Sequence, residues 1–239
     1  MNTIKVESGK TKMVAHRGVS GIEPENSVPA FIAAGNRSYF GIETDVHRTL
    51  DGRFVVFHDD NAKRVTGADC IIEETSFEDL RKLFIYEKDG TSGHFELKIP
   101  ELADYVRICK KYEKVGVLEL KNAFAFEDVE KIVSIIKESD YLENIIFISF
   151  DFDNLVKIRE ICPGQTVQFL FSEYSDEIFE KVKAHGFDID IQFGALTEEN
   201  IKKFHDAGIK INCWTCDDKE HADWLIAHGV EYITSNILE

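Results

Sequence analysis

The chain has 239 residues, of which 44% are hydrophobic and 11% aromatic, so it can bury one large core. Its formal charge of -16, from 28 basic and 44 acidic residues, argues against nonspecific binding to nucleic acid or to anionic bilayers, because both need a basic surface. The N-terminal residues lack an apolar leader, and no apolar run approaches membrane-spanning length. We therefore expect a cytoplasmic protein without a stable membrane anchor, folded as one domain over residues 1–239.

The first predicted unit of the chain is a strand, a helix and a second strand. The apolar run at residues 13–15 predicts a strand that ends at the motif His-Arg-Gly at 16–18. Ser27 is a good N-cap, so a helix is predicted over residues 28–37. The second strand is predicted over residues 40–46.

An irregular stretch follows the second predicted strand. Residues 54–57 predict a short extended piece, and residues 76–84 predict a short helix. The amphipathic pattern over residues 102–112 predicts a longer helix, after which strands and helices alternate regularly. We therefore treat residues 48–96 as a small insertion after the second strand of a single domain.

The second half of the chain repeats one pattern of strand and helix. The predicted strands cover residues 115–120, 145–150, 166–171, 187–191, 209–214 and 231–234. The predicted helices between them cover residues 127–138, 154–160, 176–185, 197–207 and 218–228. Eight strands that alternate with helices predict a closed α/β barrel of the TIM (β/α)8 type, rather than an open doubly wound sheet.

Two acids share one face of the second predicted strand. Side chains alternate along a strand, so Glu43 and Asp45 project together. Two carboxylates about 4 Å apart repel by roughly 4 kcal/mol at an effective dielectric near 20, so a buried pair needs a cation or a basic side chain beside it. Two solvated acids on an exposed edge strand would be the simpler alternative.

The predicted barrel concentrates reactive residues at the carboxyl ends of its strands, where barrel enzymes have their active sites. The residues at these ends are His16, Arg17, Glu43, Asp45, Glu119 and Lys121. His58 ends the extended piece in the insertion. This concentration favours an active site over a surface of unrelated polar residues.

The charged members of this group fit a cation and a phosphate. Glu43, Asp45 and Glu119 offer only oxygen ligands, which hard cations such as Mg²⁺ or Ca²⁺ prefer. Arg17 can present a fork to two phosphate oxygens, and Lys121 is a compact charge. Three carboxylates, one divalent ion and these two cations sum to about +1, which matches a singly negative phosphodiester.

Histidines complete the predicted chemistry. His16 and His58 have ordinary pKa values near 6.5, which suits proton transfer around neutral pH, so the group predicts a phosphoryl-transfer site. We expect His47 to be structural or to face outward. The motif Cys-Trp-Thr-Cys at 213–216 is not expected to bind zinc, because its two ends face opposite sides of a strand.

Several short motifs stand in order along nearly the whole chain. They are His16-Arg17-Gly18, Pro24-Glu25-Asn26-Ser27, Gly41-Ile-Glu-Thr-Asp-Val, Asp51-Gly52, Val55-Val56-Phe57-His58-Asp59, Glu119-Leu120-Lys121, Ser149-Phe150, Trp214-Thr215 and Thr234-Ser235-Asn236. Together they resemble the glycerophosphodiester phosphodiesterase family. The family fold, a TIM barrel with a small insertion after the second strand, agrees with the alternation described above.

The resemblance implies a role for each matched residue. A divalent cation would be held by Glu43, Asp45 and Glu119. General acid and base catalysis would be the role of His16 and His58, and phosphate would be bound by Arg17 and Lys121. The glycerol or headgroup side of the site would be lined by Phe150 and Trp214. The chain departs from the family at Cys216-Asp217, where members often have an apolar residue and asparagine. We expect this departure to affect the rim of the substrate site rather than the metal site.

The implied reaction is metal-dependent hydrolysis of a small glycerophosphodiester to glycerol 3-phosphate and an alcohol. The resemblance does not assign acid and base to the two histidines, and it leaves open whether water or the glycerol 2-hydroxyl attacks. One alternative is a phospholipase D-like or cyclising phosphodiesterase that acts on lysophospholipids, which would need an exposed apolar rim. Another is a catalytically inactive barrel that binds phosphodiesters. The headgroup, the ion and the oligomeric state are not predicted.

Overall fold

The structure is a computed structural model that describes residues 2–239. Within this range the strands are β1 (Lys12–Ala15), β2 (Gly41–Arg48), β3 (Phe54–Val56), β4 (Val115–Leu120), β5 (Ile145–Ser149), β6 (Val167–Phe171), β7 (Asp188–Gln192), β8 (Ile211–Trp214) and β9 (Tyr232–Ser235). All except β3 run parallel and close into a barrel, because β1 pairs with β2 on one side and with β9 on the other. The predicted TIM (β/α)8 barrel is confirmed.

Helices connect the parallel strands. In the described chain they are α1 (Val28–Gly35), α2 (Lys63–Thr66), α3 (Phe77–Leu80), α4 (Leu102–Lys111), α5 (Phe126–Glu138), α6 (Phe152–Ile161), α7 (Asp176–His185), α8 (Glu198–Asp206) and α9 (Lys219–Ala227). The longer helices agree closely with the predicted ranges, whereas α2 was not predicted because four residues carry no helical period. Within residues 2–239, every helix is too short or too polar to span a bilayer.

Local sequence signals set the helix ends. The Ser27 side chain accepts a hydrogen bond from the backbone amide of Ala30 at 3.2 Å, as expected of an N-cap. At the other end, Gly186, Gly208 and Gly229 have φ values of 62°, 74° and 80°, which residues with a side chain rarely adopt. These glycines end α7, α8 and α9 and turn the chain back into the next strand.

The insertion begins as an extension of the second strand. β2 continues through Arg48, two residues beyond the predicted end, because its last residues pair antiparallel with β3. The segment has an apolar cluster of its own, formed by Val55, Phe57, Ala62, Ile72, Phe77, Leu80, Ile85, Leu97 and Ile99. The Phe57 amide donates to the Asp45 carbonyl oxygen at 3.1 Å, so the chain after β3 returns to the barrel mouth with His58.

The barrel interior changes character along its axis. A buried apolar cluster of Val14, Val117, Ile146, Ile148, Leu170 and Tyr232 fills one part of it. Side chains alternate along a strand, so Glu119 faces the same way as Val117 and lies one step closer to the carboxyl end. The apolar cluster therefore supports a polar layer at the barrel mouth.

Candidate active site

Three buried carboxylates meet at the barrel mouth. Ligand oxygens of Glu43, Asp45 and Glu119 all lie within 4.8 Å of one another. Asp45 and Glu119 stand opposite each other in the pairing of β2 with β4, and Glu43 precedes Asp45 on the same face of β2. The three residues are 3%, 1% and 7% exposed, respectively, so water screens their charges poorly.

Two cations and the backbone amide of Arg17 stabilise these carboxylates. Lys121 Nζ lies 3.4 Å from Asp45 Oδ1 and 3.0 Å from Glu119 Oε1, and Arg17 Nε lies 3.8 Å from Asp45 Oδ2. The backbone amide of Arg17, whose φ is 52°, donates to Glu43 Oε2 at 2.8 Å. Burial alone would raise the pKa of Asp45, but Lys121 and Arg17 lower that pKa well below its usual range. Burial and the neighbouring carboxylates raise the pKa of Glu43 and of Glu119.

The carboxylate cluster fits a divalent cation. The three acids outnumber Arg17 and Lys121, and the buried Oε1 of Glu119 accepts no hydrogen bond, although it is ion-paired with Lys121. A cluster of oxygen ligands with one surplus negative charge suits a hard ion such as Mg²⁺ or Ca²⁺. Both its geometry and its charge are therefore compatible with the predicted ligand set.

His16 is held at one side of the cluster. Its Nδ1 lies 2.8 Å from Asn236 Oδ1, while Nδ2 of Asn236 donates to Asp217 Oδ2 at 2.6 Å. Because Asp217 fixes the orientation of the amide, Nδ1 of His16 is the donor and its Nε2, 4.0 Å from Glu43 Oε2, can accept a proton. Burial and the charge of Arg17 lower the pKa of His16 to about 4.

Asp217 belongs to the departure that we expected to affect the substrate rim. In the structure it binds the Ser235 hydroxyl at 2.8 Å and the Asn236 backbone amide at 2.7 Å, besides the Asn236 side chain. It therefore supports the partner of His16 rather than lining the cavity. The sequence contained no signal for this contact, because Asp217 and Asn236 lie on different loops.

His58 lies at the other side of the cluster, on the insertion. Its Nδ1 is 2.7 Å from Asp59 Oδ1, and its backbone carbonyl oxygen is 3.3 Å from Nε2 of His47. Burial lowers the pKa of His58. His47 is fully buried and lies 3.2 Å from Glu73, so it is structural and does not face outward. It has the same parity as Glu43 on β2, which places it on the inner face.

Asn26 connects the first loop to the carboxylates. Its Nδ2 donates to Asp45 Oδ2 at 2.8 Å, and its Oδ1 accepts from the Thr44 hydroxyl at 2.7 Å. The residue is buried and has a φ of 52°, a left-handed value that asparagine tolerates better than most residues. Asn26 therefore orients Asp45 as well as shaping the loop.

We expect Asn26→Ala to lower the free energy of unfolding by about 1 to 3 kcal/mol, because it leaves two buried groups without a hydrogen bond and strains the backbone. Urea unfolding with the ion chelated would measure this change. Asn36→Ala is the matched control. The side chain of Asn36 is exposed and makes one hydrogen bond, to the Ile32 carbonyl oxygen, and its backbone φ of -81° is one that alanine adopts without strain. Equal effects of the two substitutions would contradict the role given to Asn26.

One cavity brings the predicted residues together. It is lined by His16, Arg17, Glu43, His58, Glu119, Lys121, Ile148, Phe150, Leu170, Asp190, Trp214 and Thr234. Asp45, the remaining predicted site residue, lies against this lining through its ion pairs with Arg17 and Lys121. Most of the polar lining comes from β2, β4, the insertion and the residues that follow β1 and β4, and the apolar lining lies on or just after the later strands, which also contribute the polar residues Asp190 and Thr234.

The apolar side of the cavity carries an aromatic pair. The rings of Phe150 and Trp214 are 5.7 Å apart at an interplanar angle of 82°, and Phe150 is 45% exposed. Trp214 Nε1 donates to the backbone oxygen of Asp190 at 3.3 Å. Sequence reasoning missed Asp190, whose carboxyl pKa is raised well above its usual range by burial and by Glu119.

Known proteins resemble the chain over almost its full length. The model of the glycerophosphoryl diester phosphodiesterase family matches residues 16–238. A glycerophosphodiester phosphodiesterase of Caldanaerobacter subterraneus subsp. tengcongensis is 27% identical, over 95% of this chain and 94% of its own. One from Bacillus subtilis is 24% identical, over 93% of this chain and 82% of its own.

Solved structures show the same similarity. A phosphodiesterase of Oleispira antarctica, solved in complex with the product sn-glycerol-3-phosphate, has a TM-score of 0.87 at 25% identity and covers 98% of this chain and 96% of its own. A glycerophosphodiester phosphodiesterase from Thermotoga maritima has a TM-score of 0.76 at 27% identity, with 95% and 94% covered. The chain therefore belongs to the glycerophosphoryl diester phosphodiesterase family, a family of hydrolases.

Proposed function

We propose that this chain hydrolyses glycerophosphodiesters to glycerol 3-phosphate and an alcohol, and that it needs a divalent cation to do so. The observation that carries the proposal is the meeting of three buried carboxylates, two cations and two histidines around one cavity in a member of this family. The product in the Oleispira antarctica complex supports the proposed product here. Because the insertion supplies His58 and the barrel supplies the other groups, we treat the chain as one catalytic domain.

The charged residues bind the phosphodiester. Glu43, Asp45 and Glu119 would hold the cation, which when bound acts as a Lewis acid on a phosphate oxygen. Arg17 and Lys121 border the same cavity and offset the negative charge that builds on the phosphoryl oxygens during the reaction. Their ion pairs with Asp45 hold both cations beside the carboxylate cluster.

The two histidines move the protons. One of His16 and His58 accepts the proton of the attacking hydroxyl, from water or from the glycerol 2-position, and the other protonates the leaving alcohol. Asn236 and Asp59 occupy the Nδ1 atoms of these rings, so each histidine offers Nε2 to the reaction. Phe150 and Trp214 form the apolar side against which the carbon atoms of glycerol or of the headgroup pack.

Turnover of glycerophosphocholine tests the proposal. Protein treated with a chelator should be inactive, and addition of Mg²⁺, Ca²⁺ or Mn²⁺ should restore the release of choline and glycerol 3-phosphate. Phosphorus NMR of the reaction mixture would show whether a cyclic phosphate forms before or in place of the open product. Inactivity with every one of these ions, toward glycerophosphocholine and glycerophosphoethanolamine, would contradict the proposal.

A lysophospholipid is the second candidate substrate. Phe150 favours this substrate, because it is a large apolar side chain that lines the cavity and is also exposed, so it could contact an acyl chain. A single such residue offers little surface for an acyl chain, and the charge of -16 disfavours anionic bilayers. We therefore expect a higher kcat/KM for glycerophosphocholine than for lysophosphatidylcholine, and the reverse order would favour the second candidate.

A further inference from the structure

Arg64 on α2 binds two carboxylates in a fork geometry. Its Nε and Nη2 lie 2.6 Å and 3.0 Å from the two oxygens of Asp59, and its Nη1 and Nη2 lie 2.8 Å and 2.7 Å from the two oxygens of Glu25. Asp59 follows His58 in the insertion, whereas Glu25 belongs to the loop between β1 and α1. Arg64 therefore joins two segments that are far apart in the sequence.

Each of these carboxylates also contacts a residue of the proposed active site. Asp59 Oδ1 lies 2.7 Å from Nδ1 of His58, and Glu25 Oε1 accepts from Nη1 of Arg17 at 2.9 Å. The contacts form a continuous chain in which Arg64 is the central member. At one end is a proposed proton carrier, and at the other is a proposed phosphate-binding side chain.

The network contributes more to geometry than to the stability of the fold. The Arg64 side chain is 47% exposed, and ion pairs of this kind contribute little to the free energy of unfolding. Its paired hydrogen bonds nevertheless fix the planes of both carboxylates, which a single point charge would leave free to rotate. Catalysis is sensitive to such geometry, because a misplacement of about 1 Å can lower the rate by roughly 10²-fold.

We propose that Arg64 is a positioning residue that fixes His58 relative to Arg17 by binding Asp59 and Glu25 together. This inference rests on the proposed function, since it assigns proton transfer to His58 and phosphate binding to Arg17. Nothing in the reaction requires Arg64 to contact the substrate, and it does not line the cavity. Its effect reaches the reaction through the two side chains that it orients.

Kinetics of Arg64→Ala with glycerophosphocholine test the inference. We expect kcat to fall by about 10- to 100-fold and KM to rise, because His58 and Arg17 are then no longer held in place through Asp59 and Glu25. The Tm should change little. Lys63→Ala is the matched control, since Lys63 is the neighbouring residue on α2 and forms an exposed ion pair with Asp69. This control should keep the wild-type kcat and KM.

Two further measurements separate positioning from a general structural effect. Arg64→Lys should stay impaired, because an ammonium group cannot bind both carboxylates through paired hydrogen bonds. Methylguanidinium at millimolar concentration should restore part of the lost kcat to Arg64→Ala and leave Lys63→Ala unchanged. The side chain is exposed enough for the added ion to enter.

The two arms of the network should also separate kinetically. Asp59→Asn should mainly lower kcat, because it acts on His58, and Glu25→Gln should mainly raise KM, because it acts on Arg17. Wild-type kcat and KM in Arg64→Ala would overturn this inference but not the proposed function. A loss that accompanies a large fall in Tm and is not rescued by methylguanidinium would also overturn it. Inactivity of the wild-type protein in the same assay would instead overturn the proposed function and this inference with it.

Discussion

Replacement of either His16 or His58 by glutamine is expected to lower kcat for glycerophosphocholine by about 10²- to 10⁴-fold, the usual contribution of general acid or base catalysis. Glutamine keeps a polar group of similar size but cannot carry a proton at neutral pH. Steady-state kinetics at saturating ion would measure the loss. His221→Gln is the control, because His221 is exposed on α9 and pairs with Asp218, outside the cavity.

A substrate with an activated leaving group would assign the two roles. Glycerophospho-p-nitrophenol expels a phenolate that needs little protonation, so the variant that lacks the general acid should regain most of its activity on this substrate. The variant that lacks the general base should stay impaired on both substrates. If His16→Gln kept the wild-type kcat with glycerophosphocholine, our assignment of the chemistry would be wrong. Equal losses of both variants on both substrates would contradict the acid role of either histidine.

The sequence predicted the barrel and most of the residues around its cavity because both depend on local patterns. Strand alternation placed Glu43 and Asp45 on one face, and strand order brought Glu119 next to them, as the pairing of β2 with β4 shows. The short motif around His58 gave the position of that residue in the sequence but not its path to the barrel mouth. The antiparallel pairing of β2 with β3 leads the chain back to the barrel mouth. This pairing involves residues 47 and 48 of β2, which lie beyond the predicted end of the second strand at residue 46.

Polar contacts between distant segments could not be predicted in the same way. Arg64 binds Glu25 across 39 positions of sequence, and Asp217 binds Asn236 across 19. Such contacts have no period, and any charged surface residue could make them. His47 shows a different limit, since its parity on β2 was available from the sequence but its burial depends on the insertion that covers it.

Glu119→Gln is expected to stabilise the ion-free protein, even though it removes a proposed ligand. Without a cation, burial and the charge of Asp45 raise the pKa of Glu119, which means that the ionised carboxylate is unfavourable in the folded state. The neutral amide removes this penalty, and Lys121 keeps its ion pair with Asp45 at 3.4 Å. We expect a gain of about 3 kcal/mol in the free energy of unfolding at pH 7. The pKa of Glu119 is raised from 4.5 to about 8, so the wild type carries this penalty over the roughly 2.5 units between pH 4.5 and pH 7, at roughly 1.4 kcal/mol per unit.

This gain should depend on pH in a defined direction. A carboxyl group with a raised pKa in the folded state keeps its proton while the unfolded chain releases it, so the stability of the ion-free wild type falls as the pH rises above about 4.5. Glu119→Gln lacks this group, and its advantage over the wild type should therefore grow from acidic toward neutral pH. Glu130→Gln, an exposed change on α5, serves as the control and should show no such trend.

Addition of Mg²⁺ or Ca²⁺ should reverse the order of stability. A ligand that binds only the folded state stabilises that state by about 4.1 kcal/mol at 1,000 times its Kd, and we expect most of this stabilisation in the wild type and little of it in Glu119→Gln. Urea unfolding with and without a chelator would measure all four free energies. An equal gain for both proteins would show that the ion binds elsewhere. A wild type that is the more stable protein without any ion would show that the three carboxylates tolerate one another, and the case for a cation between them would lose its electrostatic basis.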